Sequence, residues 1–226
     1  MSISDWSNKI STIPHYLRDE AEPYSLPLVL RLEKSGDLPT HEEALLAVVQ
    51  GIAELFDKDR ATGDPIWNNL ELWMQGRIRK VARRARAAAW EKVKDSESIY
   101  VKVGNAELCI LPPHKLAEVS PVIKSLQVSG LDLPREAAAN NTNAKLLIAV
   151  NPDVQMTTGK SMAQVGHAAQ LAILNSSAPN LEAWKADSFS AGFTAWDSFS
   201  DWTAEVQDAG FTEIAPGTFT TRSILL

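Results

Sequence analysis

The chain has 226 residues, 45% of them apolar, and a formal net charge of −6. That length holds one large or two small folded units, and the apolar content is ordinary for a folded soluble protein. No run approaches the length of a membrane span and MSISDWSNK lacks the layout of a signal peptide, so a cytoplasmic setting is expected.

Residues 1–38, with Pro14, Pro23 and Pro27, give no clear element. Thr40 followed three residues later by Glu43 fits a capping box. Leu45, Val48, Val49, Ile52, Leu55 and Phe56 then keep helical spacing. After a Gly63-Asp64-Pro65 turn, a second helix is expected from about Trp67 to Val93. Its later part is strongly basic: Arg77, Arg79, Lys80, Arg83, Arg84, Arg86, Lys92 and Lys94 stand against Glu91 alone. That is a net of +7 for 77–94, which leaves −13 for the remainder.

Ile99 to Val103 and Glu107 to Leu111 read as a hairpin through Gly104-Asn105. Cys109 lies in that apolar run, which marks a buried thiol rather than a nucleophile, and a single cysteine forms no internal disulfide. Ser120-Pro121 reads as the cap and first position of a short helix. The stretch 131–143, with AAANNTN, reads as a linker. A strand is expected at Leu146–Val150, a helix from Thr158 to about Leu174, a strand at Thr203–Gln207 and a last strand after Pro216-Gly217. The stretch 181–202 is dense in aromatics but without clean periodicity. This order suggests an α/β sandwich at 144–226, preceded at 1–130 by a helix-rich α+β domain.

The most informative run is LLIAVNPDVQMTTGKSMAQVGHAA, Leu146 to Ala169. A strand ends in a turn that opens a helix, and Lys160, Gln164 and His167 share one face of that helix. Thr158-Gly159-Lys160-Ser161 is not a phosphate-binding loop, because Val154 stands where that motif needs its first glycine.

Asn151 to Ala169 together with DAGFTEIAPGT, Asp208 to Thr218, resembles the type-II peptidyl-tRNA hydrolases over roughly 144–226. The resemblance implies a small mixed-sheet α/β/α sandwich of that kind. It implies hydrolysis of the ester between a peptide and the 3′ end of tRNA, with Lys160, His167, Asp208 and Thr212 as the catalytic set. Gln164 and Thr218 would support them, and no cofactor or metal is implied. Such chemistry needs an activated water, a partner for the tetrahedral oxyanion and a proton for the leaving ribose. Asp208 can activate water, His167 can bond that aspartate or relay a proton, Lys160 can face the oxyanion, and Thr212 can hold substrate or water. Which of Asp208 and His167 is the base stays open.

The chain departs from the family pattern in three places. Thr158 stands where a second lysine is common, and Glu213 where Gln is common. The stretch 176–202 is short for the strand and helix the family places there, so the sheet is trimmed or residues 98–127 complete it. The part 144–226 is itself acidic, with Lys145, Lys160, Lys185 and Arg222 against eight acids. The basic element (Arg77, Arg79, Lys80, Arg83, Arg84 and Arg86) is therefore expected to grip the tRNA backbone. It also echoes the catalytic helix, Lys80-Val81-Ala82 and Ala87-Ala88-Ala89 against Lys160 to Ala169, which suggests a degenerate duplicate. The expected partners are tRNA and peptidyl-tRNA, with no membrane and with a homodimer left open. The alternatives are a tRNA- or ribosome-associated binding protein without turnover, and a hydrolase of another ester or amide.

Overall fold

The computed structural model describes residues 2–9, 15–18, 21–58, 65–128, 130–136 and 143–226. The turn expected at 63–64 and part of the expected linker, 137–142, lie outside them.

The first half runs β1 (Tyr24–Arg31), α1 (His41–Asp57), α2 (Pro65–Gln75), β2 (Lys80–Ala85), α3 (Ala87–Lys94), β3 (Ile99–Val103), β4 (Ala106–Ile110), β5 (His114–Lys115) and α4 (Pro121–Lys124). The second runs β6 (Leu146–Val150), α5 (Thr158–Asn175), α6 (Ala178–Ala186), β7 (Ala191–Phe193), β8 (Ala204–Gln207) and β9 (Phe219–Leu225). The fold is mixed α/β, with two mixed sheets, one from each half.

Local chemistry sets several of these elements. Thr40 and Glu43 form the capping box of α1, each side chain bonded to the other residue's backbone N–H. Ser120 caps α4 with Pro121 at its first position. The β3–β4 hairpin closes through Gly104-Asn105 as expected.

The basic run does not form a helix. α2 stops at Gln75, Ile78 takes a positive φ of 49°, and Lys80–Ala85 pairs parallel with β1; only Ala87–Lys94 is helical. The reason is tertiary, since both faces of this strand meet apolar neighbours. Ala82 joins the main core, while Ala85 packs with Trp90, Val93, Ile123 and Leu126 on the outer side. The β1 strand itself was hidden by Pro27, a residue that argues against a strand paired on both sides.

The gap between α5 and β8 is filled within its own half. α6 and β7 supply a short helix and strand there, and β7 pairs parallel with β6. The hairpin and helix of 98–127 are not borrowed, because β3 and β4 belong to the first sheet.

The two sheets share one topology. Their orders are β2-β1-β4-β3 and β7-β6-β9-β8. In each, the first strand pairs parallel with the strand after the two helices and antiparallel with the last strand of the set. In each, the last two strands are antiparallel. The leading helices, α1 and α5, pack against each other between the sheets. α1 also reaches β7 and α5 reaches β2, the matching edge strands. A single hydrophobic cluster runs through both halves, from Leu28, Val48 and Ile52 to Ile148, Val165 and Val206. The order common to both halves is β-α-α-β-β-β, with α3 added between β2 and β3 in the first, and the positional counterpart of α5 is α1 rather than the basic run.

Residues 131–136, expected as linker, lie against both leading helices. Gly159 N donates to Leu131 O, Leu133 N to Thr158 Oγ1, and His41 N to Pro134 O. Thr158 Oγ1 also lies 2.9 Å from His41 Nδ1. Thr158 thus ties the two helix starts together.

Candidate active site

Thr157 caps α5, its hydroxyl accepting from Lys160 N. Counted from that start, Lys160, Gln164 and His167 face the end of β8, where residues 208–218 form a loop. Between them lies a cleft of about 520 Å³.

Asp208 is the hub. Its Oδ2 lies 2.5 Å from Lys160 Nζ and accepts from Gln164 Nε2 at 2.7 Å, and its Oδ1 accepts from Gly210 N at 2.7 Å. Lys160 also donates to Thr212 Oγ1 at 2.9 Å. Gln164 is held from behind, because the Thr220 hydroxyl donates to its Oε1 at 2.6 Å. The Asp208 and Lys160 side chains are only 2% and 11% exposed. A pair so far removed from water is sustained by these added hydrogen bonds.

The loop keeps Asp208 in place through its backbone. Asp208 N donates to Thr218 O, and Gly217 N donates to Asp208 O. Gly210 has φ +77°, and a Cβ there would lie 2.8 Å from Pro216 Cδ. Only glycine both adopts that backbone and fits against the proline.

His167 belongs to a second layer. It is buried, lines the cleft, and its Nδ1 lies 3.0 Å from Lys80 Nζ on β2. Lys80 also donates to Gln170 Oε1 at 2.6 Å and lies 4.7 Å from the centre of the Trp73 ring. The His15 ring stacks on His167 at 5.3 Å. Burial, with nearby Lys80, His15 and Lys160, pushes the His167 pKa well below the usual imidazole range. Burial also pushes Lys80 well below the usual amine range. His15 is lowered to about 4, by burial and then by Lys80 and Arg18. His167 and His15 are thus neutral imidazoles at neutral pH.

The structure brings Lys160, Gln164, Asp208 and Thr212 into direct contact, with His167 behind them. From α5, Lys160 and Gln164 both reach Asp208, while His167 faces Lys80. Thr218 meets Asp208 through its backbone carbonyl, and the supporting hydroxyl is that of Thr220.

The basic residues do not form one face. Arg77 and Arg79 line the cleft, their guanidinium carbons 5.4 and 4.4 Å from the centre of the exposed Phe211 ring. Lys80 is 7% exposed and points into the core. Arg83 donates to Leu126 O, Arg84 to Gln127 Oε1 and Gly130 O, and Arg86 is exposed ahead of α3. Thr220 escaped the sequence reading, its only signal being that it stands two positions after Thr218; Lys80 was expected to grip tRNA, because a lysine inside a basic run looks solvated, whereas it is buried against α5.

The matching positions of the first half hold none of this chemistry. Aligning the caps Thr40 and Thr157 sets Glu43, Ala47 and Gln50 opposite Lys160, Gln164 and His167. The two-residue Gly104-Asn105 turn stands where the second half has the 208–218 loop.

Residues 144–198 match the model of the peptidyl-tRNA hydrolase PTH2 family. The match covers β6, α5, α6 and β7, and agrees with the resemblance read from Leu146 to Ala169. It includes Lys160, Gln164 and His167 and ends before Asp208 and Thr212. No curated protein and no solved structure matches the chain. Among the described residues, no helix is long and apolar enough to cross a membrane.

Proposed function

We propose that the cleft hydrolyses the ester between a peptide and the 3′-terminal ribose of tRNA, releasing both. The observation that carries this reading is the convergence of Lys160 and Gln164, from the segment matching the PTH2 family, on Asp208 and Thr212 from a separate loop. Together they supply the groups that ester hydrolysis requires.

In this reading Asp208 orients the attacking water and takes its proton. Gln164, braced by Thr220, fixes the carboxylate plane for that transfer. The oxyanion that forms on the ester carbonyl faces the Lys160 ammonium, which stabilises it without a proton of its own being lost. Thr212 accepts from Lys160, so its own hydrogen is available to the substrate. The proton held by Asp208 returns to the ribose oxygen as the ester bond breaks. His167 is less suited to be the base, because its Nδ1 is turned to Lys80.

Arg77 and Arg79 at the cleft are the cations placed to meet phosphates near the tRNA 3′ end. They stand in for the continuous basic helix expected from sequence. Such a substrate arises during translation in the cytoplasm.

The test is release of tRNA from an N-acetylated aminoacyl-tRNA, with a simple N-blocked amino-acid ester alongside. The wild type should release tRNA and cleave the simple ester at least about a hundredfold more slowly, since remote binding energy is lost with the tRNA. Equal rates on both would indicate a general esterase. Binding of tRNA without release would leave a non-catalytic binding protein.

A further inference from the structure

Lys80 stands outside the chemistry just described, and nothing about its position is accidental. It comes from β2, in the first half of the chain, and reaches α5 in the second. Helix α5 receives it with three features. Gly166 leaves room for the stem: a Cβ there would lie 2.8 Å from Lys80 Cδ and 3.1 Å from its Cε. One residue on, His167 presents Nδ1 to the amine, and one turn on, Gln170 presents Oε1. On the remaining side lies the face of Trp73, whose own Nε1 is bonded to Arg79 O.

An imidazole nitrogen, an amide oxygen and an electron-rich indole face surround an amine whose hydrogens can be given to the first two.

We infer that Lys80 is a positioning residue for the hydrolytic site: its amine donates to Nδ1 of His167, fixing the ring and placing the ring hydrogen on Nε2. His167 then serves the cleft as a fixed N–H donor, available to the substrate carbonyl or the leaving ribose oxygen. The first half of the chain thereby contributes to the site of the second. The catalytic part of this inference rests on the proposed hydrolysis; the tautomer does not.

Two measurements on the full chain separate these parts. The first is imidazole nitrogen NMR of the labelled protein at neutral pH. His167 should show a single form, with Nδ1 unprotonated and Nε2 protonated. A protonated Nδ1 in the wild type overturns the inference, whatever the variants do. In Lys80→Met the preference should be lost, and an unchanged tautomer there also overturns it.

The second is a double-mutant cycle on peptidyl-tRNA hydrolysis. Lys80→Met should lower kcat about tenfold or more with little change in KM, as expected when a donor loses its orientation. In a His167→Gln background the same change should cost nothing further. Full additivity would show that Lys80 does not act through His167. A wild type with the expected tautomer and no turnover would reject the hydrolase reading and leave the Lys80–His167 contact standing.

Discussion

Gln164 is one of the residues that orient Asp208, beside Lys160 and the backbone of Gly210. Its amide nitrogen donates to the carboxylate and its oxygen is taken by Thr220, so neither end can turn without leaving a buried polar atom unpaired. Gln164→Leu keeps the volume but removes both bonds. We expect kcat on peptidyl-tRNA to fall by about ten- to a hundredfold, the range for loss of one preorganising hydrogen bond at a reacting centre. Steady-state kinetics checks this, and a change confined to KM would count against a role for Gln164 in the reaction. Gly166 acts at the same scale by its missing side chain. The methyl of Gly166→Ala would meet Lys80 and also Val48 Cγ1 at 3.1 Å. Overpacking of this kind costs about 1–3 kcal/mol, to be read as a lower urea midpoint at unchanged slope.

At the scale of elements, the parts written locally were legible and the parts decided by packing were not. The Thr40–Glu43 box announced α1, the Gly104-Asn105 turn announced the β3–β4 hairpin, and the spacing of Lys160, Gln164 and His167 announced the cleft-facing side of α5. The run Lys80–Ala85 misled because arginine and alanine favour a helix on local grounds, whereas its place beside β1 buries Ala82 and Ala85 on opposite faces. β1 was obscured by Pro27, and the short α6 and β7 by a stretch of aromatics without clear period. The candidate site followed the same division. That Lys160, Asp208 and Thr212 belong together could be read from motif, and they are in contact, but the place of Lys80 required knowledge of which helix would lie over it. Nothing local distinguishes a lysine that finds a glycine, a histidine and a glutamine from one that finds water.

At the scale of the whole molecule, the two like-ordered sheets enclose α1 and α5 in one core, and the neutral imidazoles lie where the halves meet. This arrangement makes stability depend on pH. His15 takes up a proton at about 4 in the folded chain against an ordinary value of 6.5. As pH falls below 6.5 the unfolded chain binds the proton first, so folding stability drops until the folded form is also protonated near 4. The window of about two and a half pH units corresponds to about 3 kcal/mol. His15→Phe should therefore lose less stability than the wild type between pH 7 and pH 4, by roughly that amount in urea unfolding. Parallel curves for the two proteins would show that His15 is not held neutral by the fold.

The joining of Lys160, from the segment that matches the PTH2 model, to Asp208 on the loop after β8 is the feature on which the proposed function stands. Its most direct test is the single-turnover rate of tRNA release from peptidyl-tRNA by the wild type and by Asp208→Asn, which keeps the shape but not the charge. Release by the wild type, slowed by about a hundredfold or more in the variant, is the expected result for loss of the proton acceptor. An undiminished rate in Asp208→Asn would contradict it.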